Sequence, residues 1–263
     1  MNTSDITKIA TERRNPRSRD IDRLTTAEMV SLINSEDKKV ADAVEKVCPQ
    51  IAAAIDLIYA RMKRGGRLIY CGCGTSGRLG ILDASECPPT YSVSPETVQA
   101  VIAGGKGAVF NAVEGAEDSA ELGKEDMLKL ALTENDTLVG IAASGRTPYV
   151  LGAMKAARDA GAGVIGLTCC PGSAIDAAAD IGIAPQPGPE VVTGSTRHGT
   201  RGHHRLDPHV VRHGSEDGAE YALHLHDGQA RQGVRQPHGR CKALEREACA
   251  PLHLHRARSD RRG

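Results

Sequence analysis

One strand–turn–helix unit occurs twice in this sequence, and it constrains the fold more than any other feature. In the first copy, an apolar strand at residues 68–71 leads into a glycine-rich turn at 72–77, and a helix follows that Pro88 and Pro89 are predicted to end. A strand that feeds a helix through glycines leaves backbone N–H groups pointing out of the helix N-terminus. Such groups bind an anion, for example a phosphate.

The second copy consists of an apolar strand at 136–143, the turn SGRTP at 144–148 and another helical stretch. The first turn offers the hydroxyl groups of Thr75 and Ser76 and the positive charge of Arg78. Because Ser-Gly-Arg recurs in the second turn, we expect one polar ligand to be held from two loops of the same sheet.

Strands and helices alternate between the two copies and beyond them. Five short apolar strands separated by helices predict a parallel sheet covered on both faces, which is an α/β fold of the three-layer αβα type. In such a sheet ligands bind at the carboxyl ends of the strands, and both Ser-Gly-Arg turns fall there. The predicted strands are 68–71, 97–103, 136–143, 164–168 and 180–184.

A helical arm is predicted to precede this sheet. Apolar residues at helical spacing indicate a short helix at 27–34 and a longer one at 37–62. We therefore divide the chain into an N-terminal arm at 1–64, a ligand-binding α/β domain at 65–197, and a C-terminal part at 198–263 of a different character.

Composition narrows the class of protein. The 263 residues allow one sizeable domain with appendages, and a formal net charge of zero favours neither nucleic acid nor membrane as a partner. No apolar run approaches the roughly 20 residues that span a bilayer, and the N-terminus lacks the apolar core of a signal peptide. We expect a cytoplasmic protein whose eight cysteines are reduced thiols rather than disulfides.

The glycines of the first turn also match a dinucleotide-binding pattern. Gly72, Gly74 and Gly77 satisfy G-x-G-x-x-G, but that site needs an acidic residue near the end of the second strand to bind the ribose. The second strand ends in Ala-Gly-Gly at 103–105 instead. The duplicated Ser-Gly-Arg favours a monophosphate sugar, and a purely structural role of the glycines stays open beside it.

Five motifs in order resemble those of the N-acetylmuramic acid 6-phosphate etherases, which are built on a sugar-isomerase (SIS) domain. The resemblance covers about residues 11–197. It implies a lyase of cell-wall recycling that converts N-acetylmuramic acid 6-phosphate into N-acetylglucosamine 6-phosphate and D-lactate, needs no metal or cofactor, and forms a homodimer. The motifs are TSGR, LDASECPPTY, AVEGAEDS, GIAASGRTPYV and GPEVVTGSTR.

The resemblance also implies roles for individual residues. Glu86 corresponds to the acid for lactate departure and Glu117 to the second catalytic glutamate, the base at C2. Glutamates late in a helix or in an acidic turn are otherwise often solvated, so their presence is the feature that separates an enzyme from a non-catalytic SIS protein that senses a sugar phosphate. The residues implied to bind substrate are Thr75, Ser76, Gly77, Ser144, Gly145, Thr147 and Glu190, while Arg78 and Arg146 either touch the ligand or form structural ion pairs.

The C-terminal part departs from the family. All ten histidines lie at or after His198. Pairs such as His224/His226 and His253/His255, which lie two residues apart on no discernible strand, are weak evidence for a metal site, and a basic nucleic-acid arm is an equally weak alternative. Back-translated and read one nucleotide later, SEDGAEYALH at 215–224 can give QKMVLNMLST, and residues 227–241 can give MVKLGKVYGNLMVDV, both of which resemble the helices that the family has here. We therefore hypothesise that residues 198–263 are frame-shifted translation. We expect a disordered or ill-packed tail, and an inactive chain is one consequence.

Overall fold

Five parallel strands form a single sheet in the order β2-β1-β3-β4-β5. The computed structural model describes residues 13–192, so the predictions for the tail at 198–263 lie outside the described residues. The prediction of a five-stranded parallel sheet is confirmed. The strands are β1 Leu68–Gly72, β2 Val98–Ile102, β3 Thr137–Ile141, β4 Gly163–Leu167 and β5 Ile181–Ile183. Strands β2, β3 and β5 are shorter than expected, β1 is one residue longer, and β4 begins one residue earlier.

Helices cover both faces of this sheet, which confirms the three-layer αβα architecture. Helices α1, α2 and α3 pack on one face, and α4, α5 and α6 pack on the other. No helix among residues 13–192 is both long and apolar enough to cross a bilayer. The helices are α1 Thr26–Glu45, α2 Cys48–Met62, α3 Gly74–Tyr91, α4 Ala120–Leu130, α5 Pro148–Asp159 and α6 Ala174–Ala178, with 3₁₀ turns at Pro16–Ser18, Ile21–Arg23, Lys106–Val109 and Ala116–Asp118.

The central strands are apolar on both faces because each face is buried. Every residue of β1 is buried, and successive side chains point to opposite layers. Leu68 and Tyr70 pack against the α1–α3 layer, whereas Ile69 and Cys71 pack against the α4–α6 layer. A strand with this double burial reads as a continuous apolar run, which is why the sequence pattern located it correctly.

The two N-terminal helices divide at a different place from the predicted one. A single helix runs through Thr26–Glu45, and α2 then begins at Cys48. Thr25 starts α1 through a capping box with Glu28, and residues 35–36, which separate the two predicted helices, lie inside the helix. The break falls before Pro49, because proline is tolerated in the first turn of a helix but disrupts its interior.

Helix α3 does not end at its prolines, contrary to the sequence-based prediction. It continues through Pro88 and Pro89 to Tyr91, and Ser92 with φ of 55° follows it. The two prolines lie in the last turn, where their missing N–H groups leave only two helical carbonyl groups without a donor. The end of α3 is therefore set by the left-handed residue after it rather than by proline.

A buried carboxylate joins β1 to β3 at the amino ends of the strands. Asp136 is 1% exposed and accepts hydrogen bonds from the backbone N–H of Arg67 (2.8 Å) and from its Nε and Nη2 (3.1 and 2.7 Å). The N–H and hydroxyl of Thr133 donate to the same carboxylate. Burial alone would raise the pKa of Asp136, but the hydrogen bonds from Arg67 and Thr133 outweigh it and the pKa is lowered.

Candidate functional site

Both Ser-Gly-Arg turns lie at the carboxyl edge of the sheet, next to each other. Strands β1 and β3 are hydrogen-bonded neighbours, and their last residues, Gly72 and Ile141, are register partners. The chain leaves each strand at that point to form a turn and then a helix. The sheet topology therefore brings together two loops that lie about 70 residues apart in the sequence, as the repeated motif predicted.

The first turn closes so tightly that backbone meets backbone. A Cβ atom at Gly72 would lie 2.7 Å from the nitrogen of Gly77, and one at Gly77 would lie 2.8 Å from the Gly72 oxygen. Both positions therefore require glycine, so that Thr75 and Ser76 lie in the first turn of α3. Cys73 occupies the N-cap position and its side chain makes no capping hydrogen bond. The first N–H groups of α3 thus have no side-chain cap, and such groups at a helix N-terminus favour an anion.

The second turn packs against the loop that follows β4. Gly145 has φ of +66°, and a Cβ atom there would lie 2.1 Å from Ser173 Oγ and 2.7 Å from Thr168 Oγ1. Glycine is therefore required at this position by both conformation and space. Helix α5 begins immediately afterwards, with Thr147 at its N-cap but without a side-chain capping bond.

Four hydroxyl groups on the two turns are available to a ligand. Their residues are half-buried at the edge of the sheet, and within residues 13–192 none of the four side chains forms a hydrogen bond. Half-buried hydroxyl groups normally find a partner, so this arrangement is suited to binding a phosphate or sugar hydroxyl. The four residues are Thr75, Ser76, Ser144 and Thr147.

A cavity of about 290 Å³ opens between the start of α3 and the segment after β2. Glu117 lies in the 3₁₀ turn Ala116–Asp118 and forms part of the cavity wall. The polar residues in the wall are Cys73, Arg78, Glu114, Glu117 and Asp118. The cavity therefore combines one guanidinium, one thiol and three carboxyl groups beside the first turn.

The thiol of Cys73 is influenced by the acidic wall. Burial raises its pKa, and the negative charges of Glu117 and Asp118 raise it further, to about 12. Cys73 is therefore a neutral thiol at physiological pH. Cys73 and Glu117 line the same cavity, so Glu117 lies on the side of the cavity that faces the N-cap of α3.

Glu86 lies outside this cavity. It is exposed on α3 and does not belong to the cavity wall. Twelve residues separate it from Gly74 at the start of the helix, a distance of about 18 Å at the helical rise of 1.5 Å per residue. A single chain thus brings Glu117, but not Glu86, to the cavity, and the pairing of the two glutamates stays a prediction.

Glu190 is buried at the carboxyl edge, near a different strand. The residue is 6% exposed. Burial raises the pKa of Cys169, which follows β4, and the charges of Cys170 and Glu190 raise that pKa further. The N-terminal segment holds the chain on both sides of Glu190, because Asn15 Nδ2 donates to the Pro189 oxygen and the Ser18 hydroxyl donates to the Val191 oxygen. Glu190 is not part of the cavity wall, and its substrate-binding role stays a prediction.

Neither arginine of the repeated motif forms an ion pair within residues 13–192. Arg78 donates instead to the carbonyl groups of Ala108 and Val109. Arg146 is half-buried, and its buried Nε has no hydrogen-bond partner in the described part of the chain. The ion-pair interpretation is therefore wrong for Arg78, because a carbonyl-rich turn rather than a carboxylate faces its guanidinium.

Among residues 13–192, no group of three or more histidine, cysteine, aspartate or glutamate side chains has the arrangement of a metal site. The histidines considered in the sequence all lie outside this range.

Comparison with known proteins identifies relatives of this chain. Residues 50–158 match the glucokinase regulatory protein N-terminal SIS domain. Proteins named N-acetylmuramic acid 6-phosphate etherase are similar to it over most of its length. The one from Clostridium beijerinckii is 58% identical over 197 residues, which are 75% of this chain and 65% of that protein. The one from Aliivibrio fischeri is 58% identical over 193 residues, or 73% of this chain and 64% of that protein.

The chain therefore spans about 65% of the length of the curated relatives that it matches. Solved structures support the fold at lower sequence similarity. A phosphoheptose isomerase from Neisseria gonorrhoeae has a TM-score of 0.57 at 20% identity and covers 79% of this chain and 100% of its own. One from Francisella tularensis has a TM-score of 0.55 at 20% identity, covering 80% of this chain and 100% of its own. The described α/β unit thus has the SIS fold.

Proposed function

We propose that this chain is a member of the N-acetylmuramic acid 6-phosphate etherase family, to which it is similar over about 75% of its length, and that it specifies a lyase that cleaves the C3 lactyl ether of N-acetylmuramic acid 6-phosphate. The products are N-acetylglucosamine 6-phosphate and D-lactate. The observation that carries the proposal is the position of Glu117 in the wall of a cavity beside the hydroxyl-bearing turn of α3.

The reaction requires an acid and a base. In the open-chain sugar, the C1 aldehyde acidifies the hydrogen on C2, so a base can remove that proton while the C3–O bond to lactate breaks. The departing lactate oxygen takes a proton from an acid, and a C2=C3 double bond remains. Water then adds its hydroxyl group to C3 and a proton returns to C2. Carboxyl groups in different surroundings serve as such acid and base pairs.

Glu117 is proposed as the base at C2. It lies beside the anion-binding end of α3, so a sugar held there by its phosphate would extend into the cavity past the carboxylate. Thr75, Ser76 and the second-turn hydroxyls of Ser144 and Thr147 are proposed to bind the phosphate and the sugar hydroxyl groups. Their lack of partners within residues 13–192 supports this assignment.

Glu86 is proposed as the acid that protonates the departing lactate. Because it lies on α3 about 18 Å from the start of the helix, the proposal pairs it with the cavity of a second copy of the chain. A homodimer, which the family resemblance implies, supplies that second copy. Glu190 is proposed to line the other side of the substrate at the end of β4.

Lactate release from N-acetylmuramic acid 6-phosphate by the full 263-residue chain tests the proposal. Glu117→Gln is expected to lower the rate by about 100-fold or more, the usual contribution of a general base. Its affinity for N-acetylglucosamine 6-phosphate should change little, because the substitution keeps the shape of the side chain. Glu121→Gln is the matched control, since Glu121 is exposed in the first turn of α4 and is absent from the cavity wall.

Equal rates for the Glu117→Gln and Glu121→Gln variants would refute the assignment of the base. Binding of the sugar phosphate without any lactate from a protein in which the reading frame of residues 198–263 has been repaired would favour the alternative function, a SIS protein that senses a sugar phosphate and regulates a partner.

A further inference from the structure

Arg78 links the first turn of the site to the segment that carries Glu117. Its Nε donates to the carbonyl oxygen of Val109 at 2.7 Å, and its Nη2 donates to that of Ala108 at 2.8 Å. These carbonyl groups belong to the last turn of the 3₁₀ helix Lys106–Val109, where backbone carbonyl groups have no N–H donor within the helix. A planar guanidinium can serve two adjacent carbonyl groups at once, which is a property that lysine lacks.

The segment held by Arg78 has few other attachments. Between residues 104 and 118, the remaining hydrogen bonds in the described part of the chain are local and join residues at most four apart. Glycines with positive φ at 104, 105 and 115 give this segment a permissive backbone. Its other anchors are small apolar contacts, chiefly the buried side chains of Ala108 and Ala116.

The position of Arg78 relates this attachment to the site. Arg78 lies one turn into α3, directly after the turn with Thr75 and Ser76, and its side chain borders the same cavity as Glu117. It forms no ion pair within residues 13–192, so none of the three acidic residues in the wall engages its charge directly. Its two bonds therefore connect α3, whose first turn carries Thr75 and Ser76 next to the cavity, to the segment that contributes Glu117 to the cavity wall.

We propose that Arg78 is a positioning residue that fixes the placement of Glu117 relative to the hydroxyl-bearing turn of α3, an inference that rests on the proposed role of Glu117 as the base. In this role Arg78 contributes to the rate of proton removal and not to the affinity for the sugar phosphate. Sequence reasoning treated it as a ligand contact or an ion-pair partner, because neither Ala108 nor Val109 carries a side chain that signals the bond.

Arg78→Lys tests the proposal, because it keeps the positive charge but removes the planar guanidinium that bonds both carbonyl groups at once. Arg61→Lys is the matched control, since Arg61 also donates to backbone carbonyl groups, those of Glu134 and Gly161, but at the opposite edge of the sheet. Hydrogen–deuterium exchange of the full chain without substrate is measured first. Amides at 106–118 are expected to exchange about tenfold faster or more in Arg78→Lys, as the loss of a charge-assisted hydrogen bond predicts, and to be unchanged in Arg61→Lys.

Kinetics and binding complete the test. Arg78→Lys should lower kcat for lactate release about tenfold or more while the Kd for N-acetylglucosamine 6-phosphate changes less than about twofold, since a positioning residue acts on the transition state alone. In a Glu117→Gln background, Arg78→Lys should cause no further loss of rate, because it acts through Glu117.

Unchanged exchange at 106–118 would overturn the proposal. So would a large rise in the Kd with the segment still protected, which would make Arg78 a ligand contact, or fully additive rate losses in the double variant. A protein with the reading frame of residues 198–263 repaired that neither releases lactate nor binds the sugar phosphate would refute the proposed function by itself. The exchange comparison needs no substrate and still decides whether Arg78 holds the segment of Glu117.

Discussion

Replacing Asp136 with asparagine is expected to destabilise the fold by about 3 kcal/mol. The carboxylate is 1% exposed and accepts five hydrogen bonds, three from Arg67 and two from Thr133. Asparagine keeps one acceptor oxygen but turns an NH₂ group toward donors. It also leaves the guanidinium of Arg67 without its counter-ion.

The magnitude follows from the burial of the two partners. Removing one partner of a buried ion pair costs about 3–5 kcal/mol. The Arg67 side chain is 26% exposed and the Asp136 side chain 2%, so water partly solvates the charge that remains and the lower end of that range applies. For a domain of this size, the melting temperature should fall by about 6–12 °C.

The assay is urea-induced unfolding of the full chain, followed by circular dichroism. Asp180→Asn is the matched control, because Asp180 also accepts a backbone N–H at 2.8 Å, that of Val164, and pairs with Arg158, but its side chain is 47% exposed. That variant should lose less than about 1 kcal/mol. If Asp136→Asn loses no more stability than Asp180→Asn, the reasoning from burial is refuted.

The same residue predicts how stability depends on pH. The pKa of Asp136 in the folded chain is lowered from 3.8, so the folded state favours the charged carboxylate more than the unfolded state does. Its contribution is therefore fully present above the unfolded pKa of about 4 and is lost as the pH falls through the folded pKa. The free energies of unfolding of the wild type and of Asp136→Asn should converge below about pH 4; a difference that stays constant down to pH 2 would contradict this.

Two further predictions concern packing and thiol chemistry. Gly123→Ala should lower stability by about 2 kcal/mol or more in thermal unfolding, because a Cβ atom there would lie 1.9 Å from the backbone carbonyl oxygen of Tyr149. Gly107→Ala should cost far less, since a Cβ atom at Gly107 would meet nothing within 4 Å. Similar losses for the two variants would show that α4 and α5 do not pack this closely. Cys73, with its pKa raised to about 12, should react with iodoacetamide at pH 8 at least about tenfold more slowly than the exposed Cys48. Mass spectrometry of the alkylated native protein measures the two rates, and equal rates would contradict the raised pKa.

The parts of the fold that sequence reasoning predicted correctly depend on local patterns. Doubly buried parallel strands are short apolar runs, and β1 and β3 were located from those runs. The turns after them were recognised because a strand that passes tightly into a helix requires glycine, as Gly72 and Gly77 show. The meeting of both turns at one edge also followed, since all strands of a parallel sheet end on the same side.

Other predictions failed where a local signal has two possible outcomes. Proline normally ends a helix, yet Pro88 and Pro89 are accommodated in the last turn of α3, where few hydrogen bonds are lost. Residues 35–36 separate the two predicted helices but lie on α1, whose start is fixed by the capping box of Thr25. In both cases the position of the residue within the helix decided the outcome.

The sequence by itself determined the succession of strands and helices and the position of the two Ser-Gly-Arg turns, because these depend on glycine, on hydroxyl side chains and on apolar periodicity within a few residues. Only the tertiary structure decided the strand order, the burial of Asp136 beside Arg67, the bonds from Arg78 to Ala108 and Val109, and the placement of Glu117 in the cavity with Glu86 outside it. The physical reason is that these contacts join residues far apart in the chain, often through backbone carbonyl groups. Every residue has such a group, so the sequence does not show which of them accepts a hydrogen bond.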